Sequence, residues 1–345
     1  MALRIMQVGL GGIGGHWFRT ALTPNTDVET VAWVEIVEEA RQQAIAKWPL
    51  PKERCFSSLE AAFEKYEADA VLITASLTGH VPSARTALLA GKHVLMEKPF
   101  APTMQEAHEL VELAEQQQRV LMISQNYRFF PRVQAAKHQV HAKTLGEPGT
   151  VTIDFRFDGN RTPIGAGRHY LLWQPLLADM AIHHFDLMRY VLEQEPVTIS
   201  CTTWNPAWSH YVEPPAAAAT IRFDGGAVVS YRGSWASPGQ TTTWTGDWHI
   251  ECANGELIWN DRGASAGRAE NIHLRRLGEN PVPVAPPALA ATDFAGSLAA
   301  FIQAVLTGTE STSSGRDNLK TLALMFAAIA SAEKQGSSVE IASIL

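Results

Sequence analysis

The sequence contains few cysteines and no long apolar run. Its three cysteines, Cys55, Cys201 and Cys252, are odd in number and far apart in a chain of 345 residues. This pattern argues against a disulfide framework and provides no C-x-x-C metal site. No apolar stretch reaches the roughly eighteen residues that a membrane span requires, so we expect no membrane partner.

Charge of one sign is not concentrated anywhere in the chain. The formal net charge is −7 and 18% of the residues are charged, without a long basic or acidic run. A nucleic-acid partner requires a basic patch, so we expect no nucleic-acid binding. Met1 leads directly into an apolar strand pattern at residues 3–8, without the segments of a signal peptide. We therefore expect a cytoplasmic protein.

The first third of the chain has the pattern of a parallel sheet. Apolar strand-like runs alternate with helical patterns, which is typical of βαβ units with helices on both faces of the sheet. The predicted strands are 3–8, 30–34, 70–74, 94–96 and 120–123, and the predicted helices lie around 14–22, 38–47, 58–65, 80–90 and 103–118. We predict a first domain over residues 1–125.

From residue 126 onward the pattern changes to alternating polar and apolar residues. This alternation predicts an antiparallel sheet with one solvated face. The predicted strands are 150–157, 218–223, 227–232, 248–252 and 272–277, with helices at about 177–193, 293–307 and 317–335. We predict a second domain over residues 126–345.

A glycine-rich loop follows the first predicted strand. The run Gly9-Leu10-Gly11-Gly12-Ile13-Gly14 has the G-x-G-x-x-G pattern between a strand and a helix, where it predicts a turn that binds a pyrophosphate. Glu35 ends the second strand 21 residues after Gly14, where its carboxylate can accept hydrogen bonds from a ribose diol. That carboxylate would repel a 2′-phosphate, so NAD is favoured, although the nearby Arg41 leaves NADP open.

Two further groups of residues have the chemistry of a catalytic site. Glu97-Lys98-Pro99 ends a predicted strand, and the proline restricts the backbone around Lys98; the alternative is a solvated lysine at a strand end. Asp179 and His183 lie four residues apart on a predicted helix, where the carboxylate can orient the imidazole as a general acid or base. His184 cannot share that face, so we expect one of the two histidines to have a structural role, in packing or in a hydrogen bond. The same pair could bind a metal, but no third ligand occurs at matching spacing, and we predict no metal site.

With these motifs in this order, the chain resembles the Gfo/Idh/MocA family of nicotinamide-dependent sugar and polyol oxidoreductases. The likeness extends to His80, to the run at residues 125–129 and to the run at residues 317–319. It implies a Rossmann domain, a doubly wound parallel sheet, followed by an α+β domain built on a large, mostly antiparallel, open-faced sheet. It also implies a homodimer or homotetramer and a cis peptide at Lys98-Pro99. The chain departs from the family pattern at residues 75–78 and 175–178.

The resemblance also implies roles for individual residues. Lys98, Asp179 and His183 match the family's catalytic positions. Residues that would bind the cofactor are Gly9, Gly11, Gly12, Ile13, Gly14, Glu35, Ser76, His80, Glu97 and Lys98. Residues that would bind substrate are Lys98, Arg128, Trp173, Asp179 and His183, although Arg128 could equally form an ordinary salt bridge and Trp173 could equally fill a core or an interface.

The reaction that the resemblance implies is hydride transfer between NAD(P) and a secondary alcohol or ketone of a sugar, inositol or related polyol. His183 is the expected base, because an imidazole titrates near neutral pH, and Lys98 is expected to stabilise the developing alkoxide. One alternative is a redox-neutral glycosidase or lyase that oxidises its substrate transiently with NAD retained. Another is a binding protein that senses NAD or sugar without turnover.

Overall fold

The computed structural model describes residues 2–164, 167–263 and 269–345. These residues pack into two compact units, each formed from two stretches of the chain. The first unit contains Met1–Asn126 and Ala291–Leu319, and the second contains Tyr127–Ala290 and Lys320–Leu345.

The strands run in chain order through both units. They are β1 Leu3–Val8, β2 Val28–Val34, β3 Cys55–Phe56, β4 Ala70–Ile73, β5 His93–Glu97, β6 Leu121–Ser124, β7 Pro148–Arg156, β8 Pro196–Trp204, β9 Ala216–Phe223, β10 Val228–Ser234, β11 Asp247–Cys252, β12 Gly255–Asn260, β13 Asn271–Arg276, β14 Val282–Pro283 and β15 Val339–Glu340.

The helices are likewise numbered in chain order. They are α1 Gly12–Trp17, α2 Glu38–Lys47, α3 Leu59–Phe63, α4 Leu77–Leu89, α5 Met104–Gln116, α6 Pro131–His141, α7 Ile182–Leu192, α8 Asp293–Thr307 and α9 Gly315–Glu333. Two of them adjoin π-helical turns: Phe18–Leu22 continues α1, and Leu177–Ala181 precedes α7. Among the helices that the structure describes, none combines the length and the apolar character needed to span a lipid bilayer.

The first unit contains a parallel sheet in the order β3-β2-β1-β4-β5-β6. All residues of β4 and β6 are buried, as expected for strands covered on both faces. This strand order is that of a doubly wound fold, in which ligands bind beyond the carboxyl ends of the strands where the order reverses, here between β1 and β4. The predicted parallel, doubly wound sheet is confirmed.

The second unit contains a larger sheet in the order β14-β13-β12-β11-β7-β10-β9-β8-β15. Its neighbouring strands are antiparallel, with the exception of the parallel pair β7 and β10, among the described residues. Along β9, buried and exposed residues alternate almost strictly, because one face packs inward and the other is solvated. The predicted, mostly antiparallel sheet is confirmed.

The helix α8 and the start of α9 pack with the first unit, which differs from the predicted domain limits of 1–125 and 126–345. Phe294 on α8 contacts the buried Trp17, with ring centroids 5.0 Å apart. Ser297 donates a hydrogen bond to Ser124 at 3.1 Å, and Ser313 donates one to the carbonyl of Ile123. Residues 291–319 therefore complete the core of the first unit.

Candidate functional site

The glycine-rich loop after β1 has a conformation that two of its glycines enforce. Gly9 has a φ of +89°, and a Cβ atom there would lie 2.4 Å from the backbone nitrogen of Ala75. A Cβ atom on Gly14 would lie 2.1 Å from the carbonyl oxygen of Gly9, so this glycine allows α1 to pack against the loop. Gly11 and Gly12 have open space where a Cβ would be. The loop thus fits a pyrophosphate that approaches the backbone.

Glu35 lies beside this loop at the end of β2. Its carboxylate accepts hydrogen bonds from the backbone N–H of Leu10 at 2.9 Å and of Val37 at 3.1 Å. The carboxylate is therefore held in the position where a ribose diol would meet it. The guanidinium of Arg41 donates to the carbonyl of Glu35 at 2.5 Å and pairs with Glu38, so this cation is already occupied. Both observations favour NAD over NADP.

A cleft of about 490 Å³ opens at the same end of the sheet. It is lined by the glycine-rich loop, by the end of β2 with Glu35, and by the segment after β4 that contains Ser76. Gly9, Gly11, Glu35 and Ser76, all predicted to bind the cofactor, line it together. Ile13 lies in the first turn of α1 with 41% of its surface exposed.

His80 and Glu97, two other predicted cofactor residues, make buried contacts within the first unit. The ring nitrogens of His80 lie 2.8 Å from the carbonyl oxygen of Pro99 and 3.1 Å from that of Ala75. Burial lowers the pKa of His80, while these carbonyls act to raise it. Glu97 accepts a hydrogen bond at 2.6 Å from the indole N–H of Trp17, and burial raises the pKa of this carboxyl to about 7. These contacts stabilise the backbone on both sides of Lys98, at Glu97 and at Pro99.

Lys98 follows β5 directly and is half-buried. The Lys98-Pro99 peptide is cis, as the family resemblance implies. Glu97 on one side and Phe100 on the other are buried, so the backbone around the lysine is fixed in the first unit.

Asp179 and His183 both belong to the second unit and lie in the helical stretch predicted at about 177–193, whose first turn is π-helical. Asp179 lies in the π-helical turn that precedes α7, and α7 begins at Ile182. The N–H of Ala181 bonds to the carbonyl of Leu176, five residues back, so the rise and rotation differ from those of an α-helix. The shared face of Asp179 and His183 was argued from α-helical spacing, and it stays a prediction.

Asp179 lines a cavity of about 320 Å³ in the second unit. Asp158, His169, Tyr211 and Trp235 are among its other lining residues. Burial raises the pKa of Tyr211, and the charges of Asp179 and Asp158 raise it further, so its hydroxyl remains a donor at neutral pH. The cavity thus presents two carboxylates, a hydroxyl donor and an aromatic surface.

The two adjacent histidines occupy different environments. The ring of His183 stacks on Tyr127, with centroids 4.1 Å apart and an interplanar angle of 5°. His184 is fully buried, with its ring nitrogens 3.0 Å from the hydroxyl of Tyr231 and 2.9 Å from the carbonyl of Trp244. Burial lowers the pKa of His184 to about 4. It is therefore the neutral, structural histidine of the pair.

The predicted substrate contacts Arg128 and Trp173 have other partners in the structure. Arg128 is buried and forms a bidentate ion pair with Asp186, with N–O distances of 2.7 and 2.6 Å. Trp173 is 41% exposed and packs near Phe326, with ring centroids 6.3 Å apart. Arg128 therefore forms the ordinary salt bridge that was the alternative to substrate binding, because its buried guanidinium is bonded to Asp186.

Sequence reasoning did not single out Asp158 or Tyr211 as neighbours of Asp179. Asp158 directly follows a predicted strand, and a polar residue at a strand end is a weak signal of function. Trp235 is one of several tryptophans in the second domain without a distinguishing pattern. Tyr211 is distant from every motif, and no pattern in the sequence points to it.

A doubly wound sheet with a glycine-enforced loop and a carboxylate beside it defines a dinucleotide-binding protein. A family model for the Gfo/Idh/MocA oxidoreductases, described as an NAD-binding Rossmann fold, matches residues 3–125. The model for the C-terminal domain of the same family matches residues 133–258. The chain belongs to the Gfo/Idh/MocA family of NAD-dependent oxidoreductases.

Individual relatives span nearly the whole chain. An inositol 2-dehydrogenase of Rhizobium meliloti (strain 1021) is 26% identical over an alignment of 350 positions that covers 98% of this chain and 100% of the relative. A D-apiose dehydrogenase of Paraburkholderia graminis is 27% identical over an alignment of 311 positions that covers 85% of this chain and 78% of the relative. An inositol dehydrogenase homolog from Azotobacter vinelandii, solved with NADH and myo-inositol, has a TM-score of 0.82 at 18% identity, covering 99% of this chain and 98% of that one. This last likeness shows the shared fold.

Proposed function

We propose that this protein is an NAD-dependent dehydrogenase that oxidises a secondary alcohol of a sugar, an inositol or a related polyol. The observation that carries the proposal is the place of Asp179 in a cavity with Asp158, Tyr211 and Trp235. Carboxylates and a protonated phenol bind hydroxyl groups, and an aromatic face suits the C–H surface of a sugar ring. The names of the inositol and apiose dehydrogenases among the relatives support the same substrate class.

The cofactor-binding residues that we propose belong to the glycine-rich loop and to the cleft beside it in the first unit. Gly9, Gly11, Gly12 and Gly14 would take the pyrophosphate, and Glu35 would accept the ribose hydroxyls. Bound NAD supplies the acceptor for the hydride. Ile13, Ser76 and Lys98 remain proposed contacts of the cofactor, whereas His80 and Glu97 would act by bracing the segments beside it.

The proposed catalytic residues are Lys98, Asp179 and His183. As hydride leaves the carbinol carbon, its oxygen must lose a proton, and we assign His183 to accept it. The positive charge of Lys98 would stabilise the oxygen as it becomes negative. Asp179, with Tyr211 and Asp158, would hold the neighbouring hydroxyls of the substrate. Trp173 stays a proposed substrate surface.

The test is a screen of sugars, inositols and their keto forms for activity. The formation or consumption of NADH is measured by the ultraviolet absorbance of NADH. With an active substrate, Lys98→Ala should lower kcat by about a hundredfold or more, and His183→Asn by about a hundredfold or more. Lys92→Ala is the matched control, because Lys92 is a lysine of the same unit that pairs with the surface residue Glu67 at 3.7 Å.

Several outcomes would contradict the proposal. Full activity of Lys98→Ala or His183→Asn would remove that residue from the mechanism. Product formation with tightly bound NAD and no net NADH would instead identify a redox-neutral glycosidase or lyase. Binding of NAD and sugar without any hydride exchange would indicate a sensor.

A homodimer or homotetramer and a cytoplasmic location are also proposals. The open, mostly antiparallel sheet supports an assembly, because a second copy could cover its solvated face. Light scattering of the purified protein would distinguish a monomer from either assembly.

A further inference from the structure

Tyr127 belongs to the run at residues 125–129, which the proposed mechanism does not use. It is 3% exposed and lies in a short 3-10 turn at the start of the second unit. Its ring stacks on that of His183 at 4.1 Å, almost parallel. The plane of the imidazole is therefore parallel to that of the tyrosine ring, and this contact opposes rotation of the imidazole out of that plane.

A cation lies on the same tyrosine. The guanidinium carbon of Arg262 is 4.9 Å from the ring centroid of Tyr127 and 5.5 Å from that of Phe130. Phe130 in turn contacts Tyr127 in an edge-on arrangement at 5.6 Å. Tyr127 is thus held by a cation–π contact and an aromatic edge in addition to its stack on His183.

The backbone of Arg262 is itself fixed in an unusual conformation. Its φ is +56°, in the left-handed region that residues other than glycine rarely adopt. Its N–H donates to the carboxylate of Asp261 at 2.8 Å, and its carbonyl accepts from the N–H of Trp244 at 2.9 Å. Asp261 is tied to Thr245 through backbone-to-hydroxyl bonds of 2.7 and 2.8 Å. These bonds fix the backbone from which the Arg262 side chain reaches Tyr127.

We propose that Tyr127 and Arg262 are positioning residues that hold the imidazole of His183 in the orientation needed to accept the substrate proton. This inference rests on the proposed function, because it assumes that His183 is the base. Neither residue needs to touch the substrate: Arg262 fixes Tyr127, and Tyr127 fixes the imidazole plane. A small misplacement of a catalytic group is enough to slow the chemical step.

The test separates this role from a purely structural one by comparing kcat with KM. We use NAD with the sugar or inositol that gives the highest rate in the screen described above. Tyr127→Leu should lower kcat by about ten- to a hundredfold with the KM for NAD unchanged, because NAD binding belongs to the first unit. Tyr127→Phe keeps the ring and should restore most of kcat.

A second variant avoids the buried core. Arg262 is half-exposed, so Arg262→Met should fold, and we expect it to lower kcat by about tenfold. Arg262→Lys keeps the charge and should recover part of the loss. The matched control is Tyr190→Leu, since Tyr190 lies on α7 with His183 and also carries cations, Arg128 at 4.8 Å and Lys137 at 4.0 Å. That control should lose stability but keep kcat.

The outcomes are distinguishable. If His183→Asn is inactive while folded Tyr127→Leu and Arg262→Met keep the kcat of the parent protein, the positioning role is overturned and the proposed function stands. If Tyr190→Leu lowers kcat as much as Tyr127→Leu, the effect is structural and the positioning role is also overturned. If His183→Asn is fully active, the proposed function itself fails.

Discussion

Trp17 donates its indole N–H to the carboxylate of Glu97 at 2.6 Å, in the interior of the first unit. This bond joins α1, which follows the glycine-rich loop, to β5, which delivers Lys98. Glu97 is 4% exposed and Trp17 is fully buried, so the bond is screened from water. It connects the segment proposed to bind NAD to the segment proposed to bear the catalytic lysine.

Glu97 should make the stability of the protein depend on pH. Burial raises the pKa of this carboxyl to about 7, above its unfolded value near 4.5, so the folded state binds its proton more tightly. The resulting stabilisation is complete below pH 4.5 and is lost as the pH rises through 7. Between about pH 5 and 8 the titration of Glu97 should lower the free energy of unfolding by about 2–3 kcal/mol, and Glu97→Gln should remove this decrease. Urea unfolding at several pH values measures it.

The surface carboxyl Glu112 provides the control for this experiment. It is exposed on α5, and Glu112→Gln should leave the pH profile of the parent protein unchanged. A Glu97→Gln profile that runs parallel to the parent profile would show that Glu97 does not titrate in this range.

Replacement by alanine should have different effects at two glycines of the glycine-rich loop after β1. Gly14→Ala should destabilise the protein by at least about 2 kcal/mol, because the new Cβ would meet the carbonyl of Gly9. The Cβ atom of Gly11→Ala would meet no atom of the described residues within 4 Å, so the variant should change the free energy of unfolding by less than about 0.5 kcal/mol. It should nevertheless weaken NAD binding by about tenfold, since the methyl group would occupy the space above the loop. Calorimetric titration with NAD checks this, and unchanged affinity would place the pyrophosphate elsewhere.

The buried pair of Arg128 and Asp186 should be essential to the second unit. Thr321 also donates to Asp186 at 3.0 Å. Asp186→Ala leaves a guanidinium buried without its carboxylate and should cost about 3–5 kcal/mol. The double variant Arg128→Met with Asp186→Leu should recover much of that loss, because neither charge of the pair remains buried. Thermal unfolding of the parent protein and both variants decides this, and equal losses in the single and double variants would contradict it.

His184 should affect stability and not turnover. The pKa of its imidazole is lowered by burial to about 4, below the unfolded value of 6.5. Its contribution is present above pH 6.5 and is lost as the pH falls toward 4. His184→Gln should therefore cost about 1–3 kcal/mol at about pH 7 and flatten the acid limb of the stability profile. Acid unfolding followed by circular dichroism measures both. A loss of kcat comparable to that of His183→Asn would reverse the roles of the two histidines.

The parallel sheet and its loop could be predicted because their signals are local. A strand of buried residues, a glycine turn and a carboxylate at the next strand end are contiguous patterns with a fixed geometry. The first predicted strand, residues 3–8, has the same bounds as β1. The short β3 was missed because two residues carry no periodicity.

The second unit was harder to predict because its elements depend on tertiary contacts. β8 and β12 are paired on both sides in the large sheet, and α6 packs beside α7, yet the sequence prediction contained none of β8, β12 and α6. The cavity around Asp179 combines residues from separate stretches, such as Asp158, Tyr211 and Trp235. The π-helical turn at Asp179 has no sequence signature that distinguishes it from a regular helix.

The return of residues 291–319 to the first unit determines when that unit can fold during synthesis. The ribosome completes residues 1–126 long before it makes α8, so Trp17 lacks its contact with Phe294 and Ser124 lacks its contact with Ser297 during that interval. The first unit therefore cannot finish folding until the intervening 127–290 segment has been made. A fragment that ends at residue 126 would leave Trp17 and Ser124 without these contacts, so any shortened protein meant to isolate the nucleotide-binding unit must carry residues 291–319 as well.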